Sequence, residues 1–320
     1  MKTTVIYHSA DFDGIFCREI ARKFLPDAEL IGWNFGDPLL PDTLLRKPLV
    51  VMDLPLEKPF GLRFEDGWIA RDNPIMSKDE RQLQPIDRWD SSNITWIDHH
   101  KSSIETHPSV IPGYRIDGVA ACRLAWQWFA THGNIQFQEN LPVKNDYVNR
   151  AVLEPLAVRL AGEYDIWDKR DPNAETFQYA LRCSAITPEG WDHLLSSDGG
   201  FVRELLHDGE VAQRYSQLTD ASICESRSWL MEWEGLKFLC VNSARFNSLF
   251  FAARDVPETG HDALLGFCWT GKCWMASLYH AKHRTDIDLS AIAKKYNGGG
   301  HRGACGFTCK ALPFSLEPLC

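Results

Sequence analysis

Apolar positions in the first half of the chain come in short runs separated by segments of helical period. Thr3–Tyr7 is apolar and β-branched, and Gly14–Phe24 places Ile15, Phe16, Ile20, Ala21 and Phe24 on one side of a helix. Leu30–Asn34, Leu49–Met52 and Ile94–Ile97 are further strand-like runs. Gly118–Ala130 has helical period and is apolar nearly all round, as a buried helix is. Strands alternating with helices predict a mostly parallel sheet with helices on both faces. Residues 55–90, rich in Pro, Asp and Arg, interrupt the alternation as a long excursion.

The pattern then changes. Asp146–Ala161 reads as a helix leading into Gly162-Glu163-Tyr164-Asp165-Ile166-Trp167-Asp168. Residues 190–232 carry helical patterns with many polar positions, as a connector does. A strand-rich region opens at Leu236–Val241 and continues through Ala263–Trp269 and Cys273–His280. A helix over Leu289–Tyr296 follows, and then Gly298-Gly299-Gly300-His301. The expected organisation is α/β throughout: a domain over residues 1–188, a helical connector over 189–234 and a smaller α/β domain over 235–320.

With 320 residues, 44% of them hydrophobic, the chain can build one large core or two ordinary ones. A net charge of −9 argues against a grip on long duplex nucleic acid through many phosphate contacts. It allows a short, single-stranded phosphate ester held by a few basic groups and a metal. No apolar stretch approaches the ~20 residues that span a bilayer, and Met1-Lys2-Thr3-Thr4 enters a strand-like run without a signal peptide. Ten scattered cysteines fit reduced, buried positions, so a cytoplasmic protein is expected.

Polar residues gather where the apolar runs end. His8, Asp11 and Asp13 crowd a strand-to-helix turn closed by Gly14, Asp53 follows Val50-Val51-Met52, and Asp98-His99-His100 follows Ile94–Ile97. Asp165 stands later, between Glu163 and Asp168. Side chains at the carboxyl ends of parallel strands converge on one crevice. One capping carboxylate is ordinary at such a turn; two with a histidine are more than capping needs. Gathered carboxylates repel one another unless a cation lies among them. Oxygen and imidazole donors suit Mn²⁺ or another hard-to-borderline divalent ion. Several carboxylates with fewer imidazoles are what a two-metal site needs. In such a site a carboxylate bridges ions ~3.5–4 Å apart, and the suited reaction is in-line attack on phosphorus.

In order, the motifs are His8-x-x-Asp11-x-Asp13-Gly14, Val50-Val51-Met52-Asp53, Asp98-His99-His100, Asp165 and Gly298-Gly299-Gly300-His301-x-x-Ala304-x-Gly306-Phe307. Arg284-Thr285 and Asp288-Leu289-Ser290 precede the last. Over nearly its full length the chain resembles the DHH phosphoesterase superfamily, in its DHH plus DHHA1 branch. That branch contains oligoribonucleases (nanoRNases), cyclic-dinucleotide phosphodiesterases, single-strand exonucleases and, more distantly, inorganic pyrophosphatases. The resemblance implies that His8 and Asp11 hold one metal, that Asp13, His99 and Asp165 hold a second, and that Asp53 bridges them. Asp98 would orient a ligand histidine, and His100 would lie against the scissile phosphate or a ligand. Asp53, Asp98, His99 and His100 are thus the expected catalytic group.

Gly298, Gly299 and Gly300 would let backbone approach a ligand and offer amides to an anion. His301 would donate to a phosphate or a terminal base, and Arg284 offers a bidentate fork. Together they would face the metals across an inter-domain cleft. Among the tryptophans, Trp33, Trp167 or Trp269 could stack on a base. The implied activity is a phosphodiesterase using two Mn²⁺ ions, with Mg²⁺ or Co²⁺ as substitutes. Its substrates would be short single-stranded oligonucleotides or linear or cyclic dinucleotides. Alternatives are a phosphomonoester or pyrophosphate hydrolase of the same superfamily, or an idle nucleotide-binding protein. Neither long duplex nor membrane is an expected partner, and homodimerisation is left open.

Overall fold

The computed structural model describes residues 2–65, 68–71, 93–106, 111–131, 153–168, 170–244 and 246–319. Much of the excursion, at 66–67 and 72–92, lies outside the described residues, as does the start of the helix expected from Asp146. Contacts divide the chain into two compact units, Met1–Glu210 and Val211–Cys320.

In the first unit, β1 (Thr4–His8), β2 (Glu29–Trp33) and β3 (Leu49–Met52) are followed by a small antiparallel pair, β4 (Leu62–Glu65) with β5 (Trp68–Arg71), and then β6 (Ile94–Ile97). Strands β2-β1-β3-β6 form one parallel sheet in that order. Its register aligns Val5 with Val50 and Thr95, and Ile6 with Val51 and Trp96. Because strand side chains alternate in direction, the sheet buries two apolar faces.

Val5, Val50, Met52 and Ile97 pack with helices α1 (Phe12–Phe24), α3 (Ala121–Thr131), α4 (Leu156–Asp165), α5 (Asn173–Cys183) and α6 (Pro188–Leu194); the short α2 (Lys101–Thr106) follows β6. Ile6, Leu49, Val51, Ile94 and Trp96 pack on the other side against Leu44, Leu45 and Phe60, carried by two 3-10 helices, Asp42–Arg46 and Lys58–Phe60. Helix α4 continues past the point where the sequence reading stopped it. Gly162 is a packing position inside the helix, where an added Cβ would lie 2.6 Å from Cδ of Arg123.

The boundary between the units falls inside the long α7 (Gly200–Arg227). The second unit contains β7 (Trp229–Trp233), β8 (Leu236–Asn242), β9 (Ala263–Trp269), β10 (Trp274–His280), α8 (Ser290–Lys295), β11 (Gly299–His301) and β12 (Ala304–Cys309). Its sheet runs β11-β12-β10-β9-β8-β7, parallel at β8–β9 and antiparallel elsewhere. Strand β7 lies in the stretch read from sequence as connector. Its alternation is weak, and its turn is made by Glu234 (φ 53°) and Gly235 (φ 75°), a left-handed pair of the type that closes tight hairpins. No described helix is long and apolar enough to cross a membrane.

Candidate metal centre

The sheet register sets the site. Tyr7, Met52 and Ile97 are aligned across β1, β3 and β6, so the next residues, His8, Asp53 and Asp98, emerge side by side. Strand β3 is central, which puts Asp53 between His8 and the Asp98-His99-His100 segment. Asp53 is left-handed (φ 57°), and its amide donates to the Ile97 carbonyl at 3.0 Å. Immediately after β1 the chain enters α1. Asp11 caps that helix by accepting from the Gly14 amide at 3.1 Å. Gly14 is required by close approach, since a Cβ there would lie 1.8 Å from the His8 carbonyl oxygen.

Two groups of donors result. His8 Nδ1 lies 3.0 Å from Asp11 Oδ2 and 3.5 Å from Asp53 Oδ2. His99 Nε2 lies 3.6 Å from Asp13 Oδ2, 3.3 Å from Asp53 Oδ1 and 3.4 Å from Asp165 Oδ2. Donor atoms of His8, Asp11 and Asp53 fall within 4.8 Å of one another, as do those of Asp13, His99 and Asp165. Asp53 thus touches both groups, one oxygen to each. Asp13 is fixed by the backbone: its oxygens accept from the Ala121 and Cys122 amides at 2.8 and 2.7 Å, at the positive end of α3.

Buried acids and imidazoles compete for protons across this cluster. Burial, and then the neighbouring Asp53, push the Asp13 carboxyl up to about 7. Burial and Asp13 push Asp165 well above the carboxylate range. Burial would also raise Asp53, but the facing imidazoles of His8 and His99 outweigh it and hold Asp53 at about 2. Burial disfavours the His8 imidazolium, yet Asp11 and Asp53 raise it to about 10. Asp53 Oδ2 is buried without a hydrogen-bond partner. Buried acids that compete for protons, an unsatisfied inner oxygen and an all O/N donor set fit hard or borderline divalent ions.

Asp98 is fully buried and organises its neighbours. Its Oδ1 accepts from the His99 amide at 2.8 Å and contacts His100 Nδ1 at 2.7 Å. The ring Asp98 holds is therefore that of His100, while His99 is held through its backbone. A carboxylate can only accept, so His100 Nδ1 carries the proton and Nε2 is left for other work. Burial lowers the His100 pKa, but the Asp98 bond overrides it and the net shift is upward.

In the second unit the glycine motif is built around the end of α8. Asn297 is left-handed (φ 60°); its amide bonds the Lys294 carbonyl, and the Gly298 amide bonds the Ala293 carbonyl at 2.9 Å. This is a Schellman ending, so the Gly298 amide, expected to face an anion, belongs to the helix. A Cβ on Gly298 would lie 2.1 Å from the Gly306 carbonyl oxygen. Gly299, Gly300 and His301 form β11, the sheet's edge strand, with His301 exposed. Arg284, expected as a phosphate fork, is bound to Asp262, and its Nε lies 3.1 Å from Asp286. A further cluster, not legible in the sequence, joins Asp255, His261 and His283, with His261 Nε2 3.0 Å from Asp255. No sequence spacing announces it, because turns bring the three together. Of the tryptophans considered for stacking, Trp33 is buried, whereas Trp167 and Trp269 are exposed.

No family model matches the chain, and no curated protein matches it. Among solved structures it is similar to a DHH-domain protein described as a member of the s1p family of ribosomal proteins, with 13% identity over 97% of this chain and 83% of that one and a TM-score of 0.49. It is also similar to a pGpG-specific phosphodiesterase, PggH, from Vibrio cholerae, with 11% identity, coverage of 97% and 94%, and a TM-score of 0.43. A third is the exonuclease RecJ bound to manganese, with 12% identity, coverage of 96% and 86%, and a TM-score of 0.44.

Proposed function

We propose that the chain is a divalent-metal-dependent phosphodiesterase of the DHH plus DHHA1 kind, acting on short single-stranded oligonucleotides or linear or cyclic dinucleotides. The observation that carries this reading is the placement of Asp53 between two donor groups, 3.5 Å from His8 and 3.3 Å from His99. His8 and Asp11 would hold one ion, Asp13, His99 and Asp165 the other, and Asp53 both. Mn²⁺ suits the donor set, with Mg²⁺ or Co²⁺ as substitutes. Such a pair of ions lowers the pKa of a water and offsets charge on a phosphoryl group.

The chain's own groups supply position and protons. Asp13 is held by two amides and cannot swing away from its place. Asp98 fixes the His100 ring and favours its protonated form, so Nε2 can donate to a phosphate oxygen or to the departing oxygen. His301 and Arg284 in the second unit would add contacts to the rest of the substrate. The net charge of −9 favours a short substrate over a long one.

The test is product analysis in Mn²⁺ with labelled RNA and DNA from dimers to decamers, cyclic dinucleotides, pyrophosphate and a mononucleotide. Asp53→Ala is run beside the wild type. Release of mononucleotides from the shortest oligomers, absent in the variant, is expected. Cleavage of pyrophosphate or the mononucleotide alone would replace this reading with a monoester or pyrophosphate hydrolase. Tight nucleotide binding without product would leave a binding protein.

A further inference from the structure

We propose that Phe35 and Trp167 are base-stacking platforms flanking the metal centre, one for the nucleoside on each side of the scissile phosphate. The inference rests on the phosphodiester reading above and adds the two residues that would give it nucleotide selectivity.

Among the described residues of the first unit, the large aromatic side chains that stand exposed are Phe35, at 59%, and Trp167, at 45%. The first touches a residue of one donor group, and the second lies two positions along the chain from a residue of the other. The Phe35 ring meets the His8 ring edge-on, with centroids 6.2 Å apart. Trp167 follows Asp165 by two residues, and its ring is set edge-on against Tyr164 at 5.5 Å. His8 belongs to one donor group and Asp165 to the other, with Asp53 between them. A phosphodiester likewise carries one nucleoside on each side of its phosphorus, and every base has a face that an aromatic ring can stack on.

The backbone at Trp167 points the same way. Helix α4 closes with the Trp167 amide on the Tyr164 carbonyl at 3.0 Å and the Asp168 amide on the Glu163 carbonyl at 2.8 Å. That places Trp167, with φ 57°, at the left-handed position of a Schellman ending, where glycine is preferred. Among the described residues, four non-glycine positions have positive φ. Glu234 closes a hairpin and Asn297 closes a helix with a tolerated side chain. The other two are Asp53 and Trp167, and a bulky ring kept in this conformation is the kind of local strain found at working sites. Trp167, Tyr164 and Pro172 wall a cavity of about 300 Å³, room for a base. Asp168, held by Arg170 at 2.7 Å, and Glu175 also line it.

The experiment compares steady-state kinetics of wild type, Phe35→Ala, Trp167→Ala, Trp167→Phe and Trp167→Gly. Substrates are a dinucleotide and two analogues, each lacking one base. Each alanine variant should raise KM for the dinucleotide by about 5- to 150-fold, the range for one lost stacked base, with a smaller change in kcat. The KM advantage of the dinucleotide over one analogue should collapse in Phe35→Ala, and over the other analogue in Trp167→Ala. Trp167→Phe should restore most of the loss. Trp167→Gly should bind like the alanine variant yet melt no lower than wild type, because glycine suits the conformation. Equal losses on intact and abasic substrates, or unchanged KM in either alanine variant, would overturn the inference and leave the metal reading standing. A wild type that cleaves no phosphodiester would overturn both.

Discussion

The two carboxylate oxygens of Asp53 face different imidazoles, Oδ2 lying 3.5 Å from His8 Nδ1 and Oδ1 3.3 Å from His99 Nε2. The relationship follows from β3 lying between β1 and β6, and from a left-handed turn at Asp53 itself. Asparagine tolerates that conformation, so Asp53→Asn should keep the fold. It should drop Mn²⁺ stoichiometry from two towards one and turnover by about a thousand-fold or more, the several kcal/mol a paired-ion site supplies. Equilibrium dialysis with parallel activity assays checks it. Two ions and near-normal turnover in the variant would remove Asp53 from its bridging role.

Asp13 and Asp165 face the same His99 ring but differ in what else they do. Asp13 satisfies the Ala121 and Cys122 amides; among the described residues no amide donates to Asp165. Asp13→Ala should therefore destabilise even the metal-free protein, by about 2–4 kcal/mol for two orphaned buried donors. Burial and Asp13 already disfavour the Asp165 charge. Asp165→Asn should leave the metal-free melting point unchanged or higher and shrink the rise that Mn²⁺ produces. Thermal melts with Mn²⁺ and with chelator separate the two. Equal loss of metal-free stability in both variants would refute the distinction.

These contrasts show what the sequence could reveal. The strand-end positions of His8, Asp53 and Asp98 follow from apolar runs that end in polar residues, a local pattern. That Asp13 would cap a helix starting at Ala121 was not legible, because the bond joins residues more than a hundred positions apart. The Asp255–His261–His283 cluster was hidden because turns, not a regular spacing, bring its members together. Gly162 and Gly298 look like turn residues in sequence but serve close packing and a helix ending, which depend on their neighbours in space. Strand β7 escaped because its residues Trp229-Leu230-Met231-Glu232-Trp233 barely alternate.

Metal binding should release protons. In the metal-free protein His8 holds its proton up to about 10 and Asp13 up to about 7. Both values are raised, so both groups favour the metal-free fold at low pH. That contribution fades as pH climbs through about 7 for Asp13 and about 10 for His8. Two ions need His8 and His99 neutral and Asp13 and Asp165 ionised, and all four are shifted towards the proton-bound form, so Mn²⁺ binding at neutral pH should expel about two or more protons, and affinity should rise with pH. Calorimetry in two buffers of different ionisation enthalpy measures the release. Affinity independent of pH would mean that other groups hold the ion.

His301 and Arg284 were expected to share the phosphate, yet the structure prepares them differently. His301 is exposed on the edge strand β11, whose backbone is set by the close approach of Gly298 to Gly306. The guanidinium of Arg284 is already bound to Asp262 and Asp286. A phosphate would have to compete with two carboxylates for it. His301→Ala should therefore raise KM for a dinucleotide by about ten-fold, the loss of one charge-assisted hydrogen bond. Arg284→Ala should raise it less, and neither should alter the Mn²⁺ titration. KM and metal titrations on the two variants decide it. A larger KM effect at Arg284 would show that substrate opens its ion pairs, and a shifted Mn²⁺ titration in His301→Ala would place His301 at the metal centre instead.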